Sequence, residues 1–209
     1  MSATLIEGIA SDANALGVPL EDGVAERLAA LLERVQRFSK RVNLIAKASL
    51  HENVTRHITD SLALLRLVAH PSLPRLETWW DIGTGGGFPG LVWAVARPEL
   101  TLRLVEPITK KAALLNRLAR EFASDRVEVI SARLGDLEAP EDPVGLVSRA
   151  VFAPEVWLER AGNFGVPGSV ILLTSGRAQP PEVLTRASVV DQVTLPRSDV
   201  ARVNVAVTL

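Results

Sequence analysis

The residues best suited to chemistry lie in a glycine-rich segment near the middle of the chain. Glycines alternate along residues 83–87, two positions after Asp81, and Gly90 follows them. An apolar run leads into this segment, and an alternating run beyond it ends at Glu106. In nucleotide-binding folds, glycines at such a turn let the backbone approach the ligand, and an acidic residue at the end of the second strand binds the ribose hydroxyls. The spacing therefore predicts a nucleotide-cofactor site.

Two classes of cofactor fit the glycines. The pattern Gly85-x-Gly87-x-x-Gly90, with Glu106 lying 21 residues after Gly85, matches a dinucleotide fingerprint. Asp81 favours S-adenosylmethionine instead, because a carboxylate there can receive the ammonium group of an amino-acid cofactor but repels a pyrophosphate. We therefore expect Asp81 and Gly85 to contact S-adenosylmethionine. A purely structural glycine turn is the third interpretation.

Composition indicates one globular unit. The chain has 209 residues, of which 47% are hydrophobic and 22% charged, and it contains no cysteine. Disulfides, thiolate metal sites and a cysteine nucleophile are therefore excluded. The three histidines are scattered, so we predict no metal site. Without an N-terminal export signal or a membrane-length apolar run, the sequence predicts a cytoplasmic protein that does not enter membranes, and we expect a monomer.

Positive charge is concentrated in one region although the net charge of the chain is only -1. Between Arg34 and His57 there are six basic residues and one acidic residue, Glu52, which leaves an excess of five positive charges. This excess is typical of a surface that binds a polyanion such as RNA, and a solvated helix face is the alternative. The predicted RNA contacts are Arg37, Arg41, Lys47, Arg56, Lys110, Lys111 and Arg177.

The elements that position these residues divide near Pro71–Pro74. Apolar residues at helical spacing predict helices over 4–16 and 24–42, and a capping box at Ser49 and Glu52 predicts a third helix that extends to Val68. We expect residues 1–73 to form a helical extension and residues 74–209 to form the cofactor-binding domain.

Strands and helices alternate after residue 74. The predicted strands are 79–82, 101–106, 126–131, 144–148, 169–174, 189–195 and 202–209, with helices at 89–96, 110–122 and 154–163. Such alternation predicts an α/β fold with a mainly parallel, seven-stranded sheet, helices on both faces and a ligand crevice at the carboxyl ends of the strands. Trp79 and Trp80 are expected to pack on opposite faces of this sheet.

Several short motifs together resemble one family. They are Asn43-Leu44-Ile45, Arg56-His57-Ile58-x-Asp60-Ser61-Leu62, Asp81-Ile82-Gly83-Thr84-Gly85-x-Gly87-Phe88-Pro89-Gly90, Glu106-x-x-x-Lys110-Lys111 and Ser148-Arg149-Ala150. Their order and approximate spacing, over about residues 30–177, are similar to those of the RsmG (GidB) family. The resemblance implies a Rossmann-like class I methyltransferase that transfers a methyl group from S-adenosylmethionine to N7 of a guanine in bacterial small-subunit (16S) ribosomal RNA.

The same resemblance implies which residues contact the cofactor. They are Gly83 and Phe88 in the first loop, Glu106, Pro107 and Ile108 after the second strand, Leu134 and Gly135 around the adenine, and Arg149 after the fourth strand. The sequence departs from the family after the fifth strand, where a Lys-Gly step is usual and Ser175-Gly176-Arg177 occurs here. Arg177 can supply the missing charge from a shifted position.

No catalytic side chain is assigned. Guanine N7 carries a lone pair and no proton, so its attack on a methyl group needs no general base. His57, Asp60 and Ser61 are neighbours on a predicted helix, where a hydrolase triad is a poor fit, and we expect the helix to pack on the crevice with His57 and Asp60 hydrogen-bonded. The alternatives are a methyltransferase of a small molecule or protein, and a dinucleotide-binding oxidoreductase.

Overall fold

The computed structural model describes residues 3–39, 42, 54–176 and 179–209. Within these residues, three helices come first, and a β/α alternation follows. The helices are α1 (Ala3–Ala15), α2 (Val24–Ser39) and α3 (Val54–Val68). The capping box predicted at Ser49 and Glu52 lies outside the described residues.

The remaining elements agree closely with the predicted ones. The strands are β1 (Thr78–Ile82), β2 (Thr101–Val105), β3 (Val127–Ile130), β4 (Gly145–Val147), β5 (Val170–Ser175), β6 (Val189–Thr194) and β7 (Ala201–Thr208). The helices between them are α4 (Gly90–Ala96), α5 (Thr109–Phe122), α6 (Pro154–Phe164) and the single turn α7 (Pro181–Leu184). Short 3-10 helices at 124–126 and 134–136, together with α7, have no counterpart in the prediction, because one turn is too short to show a hydrophobic period.

All seven strands form one sheet in the order β3-β2-β1-β4-β5-β7-β6. The first five strands are parallel, whereas β7 pairs antiparallel with both β5 and β6. The strand order switches direction at β1, because β2 and β3 lie on one side of β1 whereas β4 and β5 lie on the other. The carboxyl ends of β1 and β4 therefore border a crevice of the kind that binds ligands in open α/β sheets.

Each face of the sheet has its own core. Trp79 packs with the residues of α1 to α5, and Trp80 packs with those of α6 on the opposite face, as the sequence predicted. Gly145 is required by this packing, because a Cβ atom there would lie 2.1 Å from the Trp79 indole ring. The mainly parallel, seven-stranded sheet with helices on both faces is thereby confirmed.

The N-terminal helices share the core of the first face. Leu28 of α2 and Leu62 of α3 are fully buried in the same cluster as Trp93 of α4. The division of the chain between residues 73 and 74 stays a prediction. Among the described residues, no helix combines the length and the apolar character needed to cross a membrane.

Candidate active site

A cavity of about 560 Å³ opens at the carboxyl ends of β1, β4 and β5. Its lining comprises residues 83–86 and Phe88, residues 149–151, residues 174–176, and the side chains of His57, Asp60 and Arg202. Two of its sides are distinct in character. We call residues 83–88 the glycine-loop wall, and His57, Asp60, Arg149 and Arg202 the polar wall.

The glycine-loop wall is made largely of backbone. Gly83, Gly85 and Gly87 have φ values of 73°, 59° and 90°, in the left-handed region that favours glycine. At Gly83 there is also no room for a side chain, since a Cβ atom would lie 2.6 Å from Cγ2 of Val151. The amide groups of Gly83 and Thr84 donate to the carbonyl of Val105, at 2.8 and 3.1 Å. The loop is thus tied to the end of β2.

Asp81 lies buried beneath this loop and does not line the cavity. Its Oδ2 atom accepts hydrogen bonds from Oγ1 of Thr84 at 2.6 Å and from the amide of Gly90 at 2.8 Å. Its Oδ1 atom is buried and has no partner among the described residues. Burial raises the pKa of Asp81 to about 6, against the opposing effect of these two hydrogen bonds. Asp81 therefore shapes the loop from below, and its direct contact with a cofactor stays a prediction.

Glu106 connects the loop to the strand beside it. One carboxylate oxygen accepts from the amide of Gly85 at 3.2 Å, and the other accepts from the amide of Ile108 at 3.0 Å. An ionised carboxylate has about four acceptor positions, so Glu106 can still accept two hydroxyl groups. The next residues, Pro107 and Ile108, are exposed, and Ile108 is 50% exposed although it is large and apolar.

Arg149 stands at the centre of the polar wall. Its Nη2 atom lies 2.8 Å from Nδ1 of His57, and its Nη1 atom lies 3.6 Å from a carboxylate oxygen of Asp60. Its guanidinium carbon is 5.6 Å from the centre of the Phe88 ring, which is within cation-π range. Burial lowers the pKa of Arg149, while the charges of Asp60 and Asp81 oppose that shift. Arg149 thus joins the end of β4 to both α3 and the glycine loop.

His57 is held neutral in this arrangement. A guanidinium only donates, so Nδ1 of His57 accepts and the ring proton is carried by Nε2. The ring stacks on Phe88 with a centroid distance of 5.0 Å. Burial, and after it the charge of Arg149, lowers the pKa of His57 to about 4. The Nε2 atom is itself buried and unpartnered within the described part of the chain.

Asp60 and Arg202 complete the polar wall. Nε and Nη2 of Arg202 donate to the two oxygens of Asp60 at 2.8 and 3.1 Å, which is a bidentate pair joining α3 to β7. Both side chains are more than four-fifths buried. Ser61 takes no part in a triad, because its hydroxyl donates to the backbone carbonyl of His57 at 2.6 Å. The expectation that His57 and Asp60 fix the helix by hydrogen bonds is confirmed.

The predicted cofactor residues fall into three groups, one of which, comprising Asp81, Glu106, Pro107 and Ile108, lines neither the main cavity nor the cavity beside α6. Gly83, Gly85, Phe88 and Arg149 line the main cavity. Leu134 and Gly135 instead line a separate cavity of about 300 Å³ beside α6. They follow β3, which is two strands away from β1 in the sheet, so the main cavity above β1 and β4 does not reach them.

The predicted RNA contacts are partly described. Arg37 and Lys110 are exposed, and Arg56 and Lys111 are half-buried. Lys110 and Lys111 lie in the first turn of α5, immediately after the carboxyl end of β2. Arg41, Lys47 and Arg177 lie outside the described residues.

Sequence reasoning did not assign a role to three parts of the cavity. Ala150 and Val151 follow Arg149, and Ala150 has a φ of 60°, which is rare for a residue with a side chain. Residues 174–176 end β5, and Arg202 comes from the antiparallel strand β7. The rule that ligands bind at the carboxyl ends of parallel strands could have found the first two parts, but nothing in the sequence pairs Arg202 with Asp60.

Comparison with known proteins points to one family. A family model described as "GidB: rRNA small subunit methyltransferase G" matches residues 24–202. The chain is also 39% identical over 171 residues to "Ribosomal RNA small subunit methyltransferase G" of Desulfotalea psychrophila, covering 80% of this chain and 76% of that protein. It is 33% identical over 180 residues to the protein of the same name in Azoarcus sp., covering 86% and 80%.

Solved structures support the fold. An O-methyltransferase from Bacillus cereus, in complex with SAH, has a TM-score of 0.59 at 18% identity and covers 98% of this chain and 100% of that chain. The O-methyltransferase TomG from Streptomyces achromogenes, in complex with SAM, has a TM-score of 0.57 at 16% identity, with full coverage of both chains. At such identities the likeness concerns the fold alone.

Proposed function

Because this chain belongs to the rRNA small subunit methyltransferase G family, we propose that it transfers a methyl group from S-adenosylmethionine to N7 of a guanine in bacterial 16S ribosomal RNA. The observation that carries the proposal is the glycine-loop wall, a surface of backbone with carboxylates behind it, at the switch point of a methyltransferase sheet. The polar wall opposite gives the cavity room and charge for a second reactant.

The residues present fit this cofactor. Gly83 carries no side chain that would push against Val151 at the cavity, and Glu106 has acceptor positions left for two ribose hydroxyls. The exposed side chain of Ile108 offers an apolar surface for the adenine, with Pro107 beside it. Leu134 and Gly135 are proposed to flank the adenine from the side of β3, while Arg149 and Phe88 face the amino-acid portion.

The buried carboxylate of Asp81 supports a cationic ligand. Its Oδ1 atom has no partner among the described residues, and an ionised carboxylate at this position favours a nearby sulfonium or ammonium group. A pyrophosphate at the same loop is disfavoured for the same reason. Asp81 is therefore proposed to select S-adenosylmethionine over a dinucleotide.

The reaction asks this chain mainly for positioning. S-adenosylmethionine, when bound, supplies an electrophilic methyl group, and guanine N7 has no proton to remove. The alignment of two reactants in one cavity can contribute roughly 7–11 kcal/mol to catalysis. Accordingly no general base is assigned, and the neutral His57, held between Arg149 and Phe88, orients the wall rather than transferring a proton.

The RNA is proposed to lie across the basic residues around the cavity. Lys110 and Lys111 occupy the first turn of α5, where cations oppose the helix dipole, so local stability does not account for them. A phosphate would. Arg37, Arg41, Lys47, Arg56 and Arg177 are proposed as further contacts. We place this reaction in the cytoplasm and propose that a monomer carries it out without a metal.

Binding and transfer assays test the proposal together. Calorimetry should give saturable binding of S-adenosylmethionine and none of NAD, and label from the methyl group should appear in 16S ribosomal RNA. RNA containing 7-deazaguanine is the matched control, because it replaces N7 by a carbon and should accept no label at that position. Saturable binding of NAD alone, or equal labelling of the 7-deazaguanine RNA, contradicts the proposal.

A further inference from the structure

A second cavity, of about 240 Å³, lies across α3 from the main one. Its lining includes Asp12 of α1, Thr55, Arg56 and Thr59 of α3, and Arg197 and Ser198 of the turn between β6 and β7. His57 and Asp60, which alternate with these residues along α3, line the main cavity. The first two turns of α3 therefore separate the two cavities.

The carboxylate in this second cavity is already neutralised. Arg197 donates from Nε and Nη2 to the two oxygens of Asp12 at 2.8 and 2.7 Å, and Oγ1 of Thr59 donates to Asp12 at 2.9 Å. Asp12 is 3% exposed and is the one acidic residue among the described residues of this lining. The charge of Arg197 is thus matched, and Asp12 does not leave the cavity acidic.

Among the described residues, no acidic side chain pairs with Arg56 in this cavity. Its Nη2 atom lies 3.5 Å from Oγ of Ser198, at the outer limit of a hydrogen bond, and the described residues offer it no other side-chain partner. A guanidinium has five N–H donors, and the described residues engage only one of those on Arg56. The hydroxyl groups of Thr55 and Ser198 add short polar groups around the same space.

The turn between β6 and β7, which completes the second cavity, is held in place by the contacts of Arg197. Arg197 has a φ of 56°, which is unfavourable for a residue with a side chain. Its guanidinium passes so close to Gly8 that a Cβ atom there would lie 2.6 Å from Nη1. The pair with Asp12 and the absence of a side chain at Gly8 hold Arg197 in this conformation, and Ser198 is thereby held opposite Arg56.

We propose that this second cavity binds a phosphate group of the RNA strand, next to the nucleotide that enters the main cavity. Arg56 would contact the phosphate oxygens as a donor, with the hydroxyl of Ser198 beside it. The inference rests on the proposed function and adds a subsite to it. The two cavities lie on the two sides of one helix, so a strand with one nucleotide in the main cavity has its backbone beside α3.

The test is the salt dependence of RNA binding. Affinity of the full chain for a 16S ribosomal RNA fragment should be measured over a range of KCl concentrations for the wild-type protein, Arg56→Ala and Arg56→Lys. Losing one phosphate contact should make the slope of log affinity against log salt shallower by about 0.7, the value for single-stranded RNA. Arg56→Lys should keep the slope, because it keeps the charge.

Arg75→Ala is the matched control, since Arg75 is exposed just before the amino end of β1, whereas the main cavity lies at the carboxyl end of that strand. Its slope and the affinity of all variants for S-adenosylmethionine should equal the wild-type values. An unchanged slope in Arg56→Ala, with wild-type methylation intact, overturns the subsite alone. A wild-type protein that neither binds nor methylates RNA instead overturns the proposed function.

Inorganic phosphate distinguishes this cavity from other basic groups. Added at constant ionic strength, it should weaken RNA binding by the wild-type protein more than by Arg56→Ala. Equal weakening in both proteins would mean that phosphate competes elsewhere, and the proposal would then be wrong.

Discussion

The two walls of the main cavity differ in how far along the chain their contacts reach. Beneath the glycine-loop wall, Asp81 bonds Thr84 and Gly90, and Glu106 bonds Gly85 and Ile108, so none of these four hydrogen bonds spans more than 21 residues. In the polar wall, His57 and Arg149 are 92 residues apart, and Asp60 and Arg202 are 142 apart. The first wall is built by one β-loop-α-β unit, whereas the second exists only once α3, β4 and β7 have packed together.

This difference indicates that the two walls serve different reactants. The glycine-loop wall presents backbone in a fixed shape, as a common cofactor requires. The polar wall presents long charged side chains from three separate elements, and such a surface can change with the second reactant. Substitutions in the two walls should therefore have different effects on cofactor affinity and on transfer to RNA.

The largest effect is expected from Gly83→Val. The new side chain would meet Val151 and must adopt a φ of 73°, so cofactor binding should be abolished in calorimetry. Gly23→Val is the matched control, because Gly23 has a φ of 79° but no atom lies within 4 Å of its Cβ position. Both variants should lose stability from backbone strain, about 1–2 kcal/mol. Equal cofactor affinity in the two variants would show that backbone strain, and not the contact with Val151, weakens cofactor binding.

An intermediate effect is expected from Asp60→Asn in the polar wall. Removing this carboxylate leaves Arg149 and Arg202 without their shared partner, and should lower the free energy of unfolding by about 3 kcal/mol. Methyl transfer to RNA should fall by more than cofactor affinity, which distinguishes the two walls.

Asp191→Asn is the control for Asp60→Asn, because Asp191 forms a similar bidentate pair with Arg66, at 2.9 and 3.0 Å, away from the cavity. It should lose stability and keep the transfer rate per folded molecule. A loss of transfer as large as that of Asp60→Asn would argue that general destabilisation, not the polar wall, reduces activity.

The smallest effect is expected in the pH dependence of stability. His57 of the polar wall and Asp81 beneath the glycine-loop wall contribute to it with opposite signs. His57 has a folded pKa of about 4, below its usual 6.5, so the unfolded chain binds more protons and stability falls as the pH is lowered from 6.5 to 4. Asp81 has a folded pKa of about 6, above its usual 3.8, so stability falls as the pH is raised from 3.8 to 6. Over the shared range the two contributions oppose each other.

Urea unfolding at several pH values can separate these contributions. Compared with His57→Asn, which keeps an acceptor for Arg149, the wild-type protein should lose up to about 3 kcal/mol between pH 6.5 and 4. Compared with Asp81→Asn, it should gain about 2 kcal/mol as the pH falls from 6 to 4. Parallel curves for the wild-type protein and either variant would show that the residue does not titrate in this way.

Predictions from the sequence were most accurate where the chemistry is local. The strand, loop and helix around Asp81 and Glu106 follow from glycine spacing and hydrophobic period, and the seven strands lie within two residues of their predicted ends. Asp81 is buried, with its carboxylate bonded to the hydroxyl of Thr84 and the amide of Gly90, and its direct contact with a cofactor stays a prediction.

The sequence alone determined the order of elements, the faces of the sheet and the loop that suits S-adenosylmethionine, because hydrophobic period and glycine geometry act between residues close in the chain. Only the tertiary structure decided that Asp60 meets Arg202, that burial and the charge of Arg149 keep His57 neutral, and that a second cavity forms behind α3. Charged side chains can pair in many ways along an unfolded chain. The packing of distant elements selects one of those pairings, and no local pattern in the sequence records that choice.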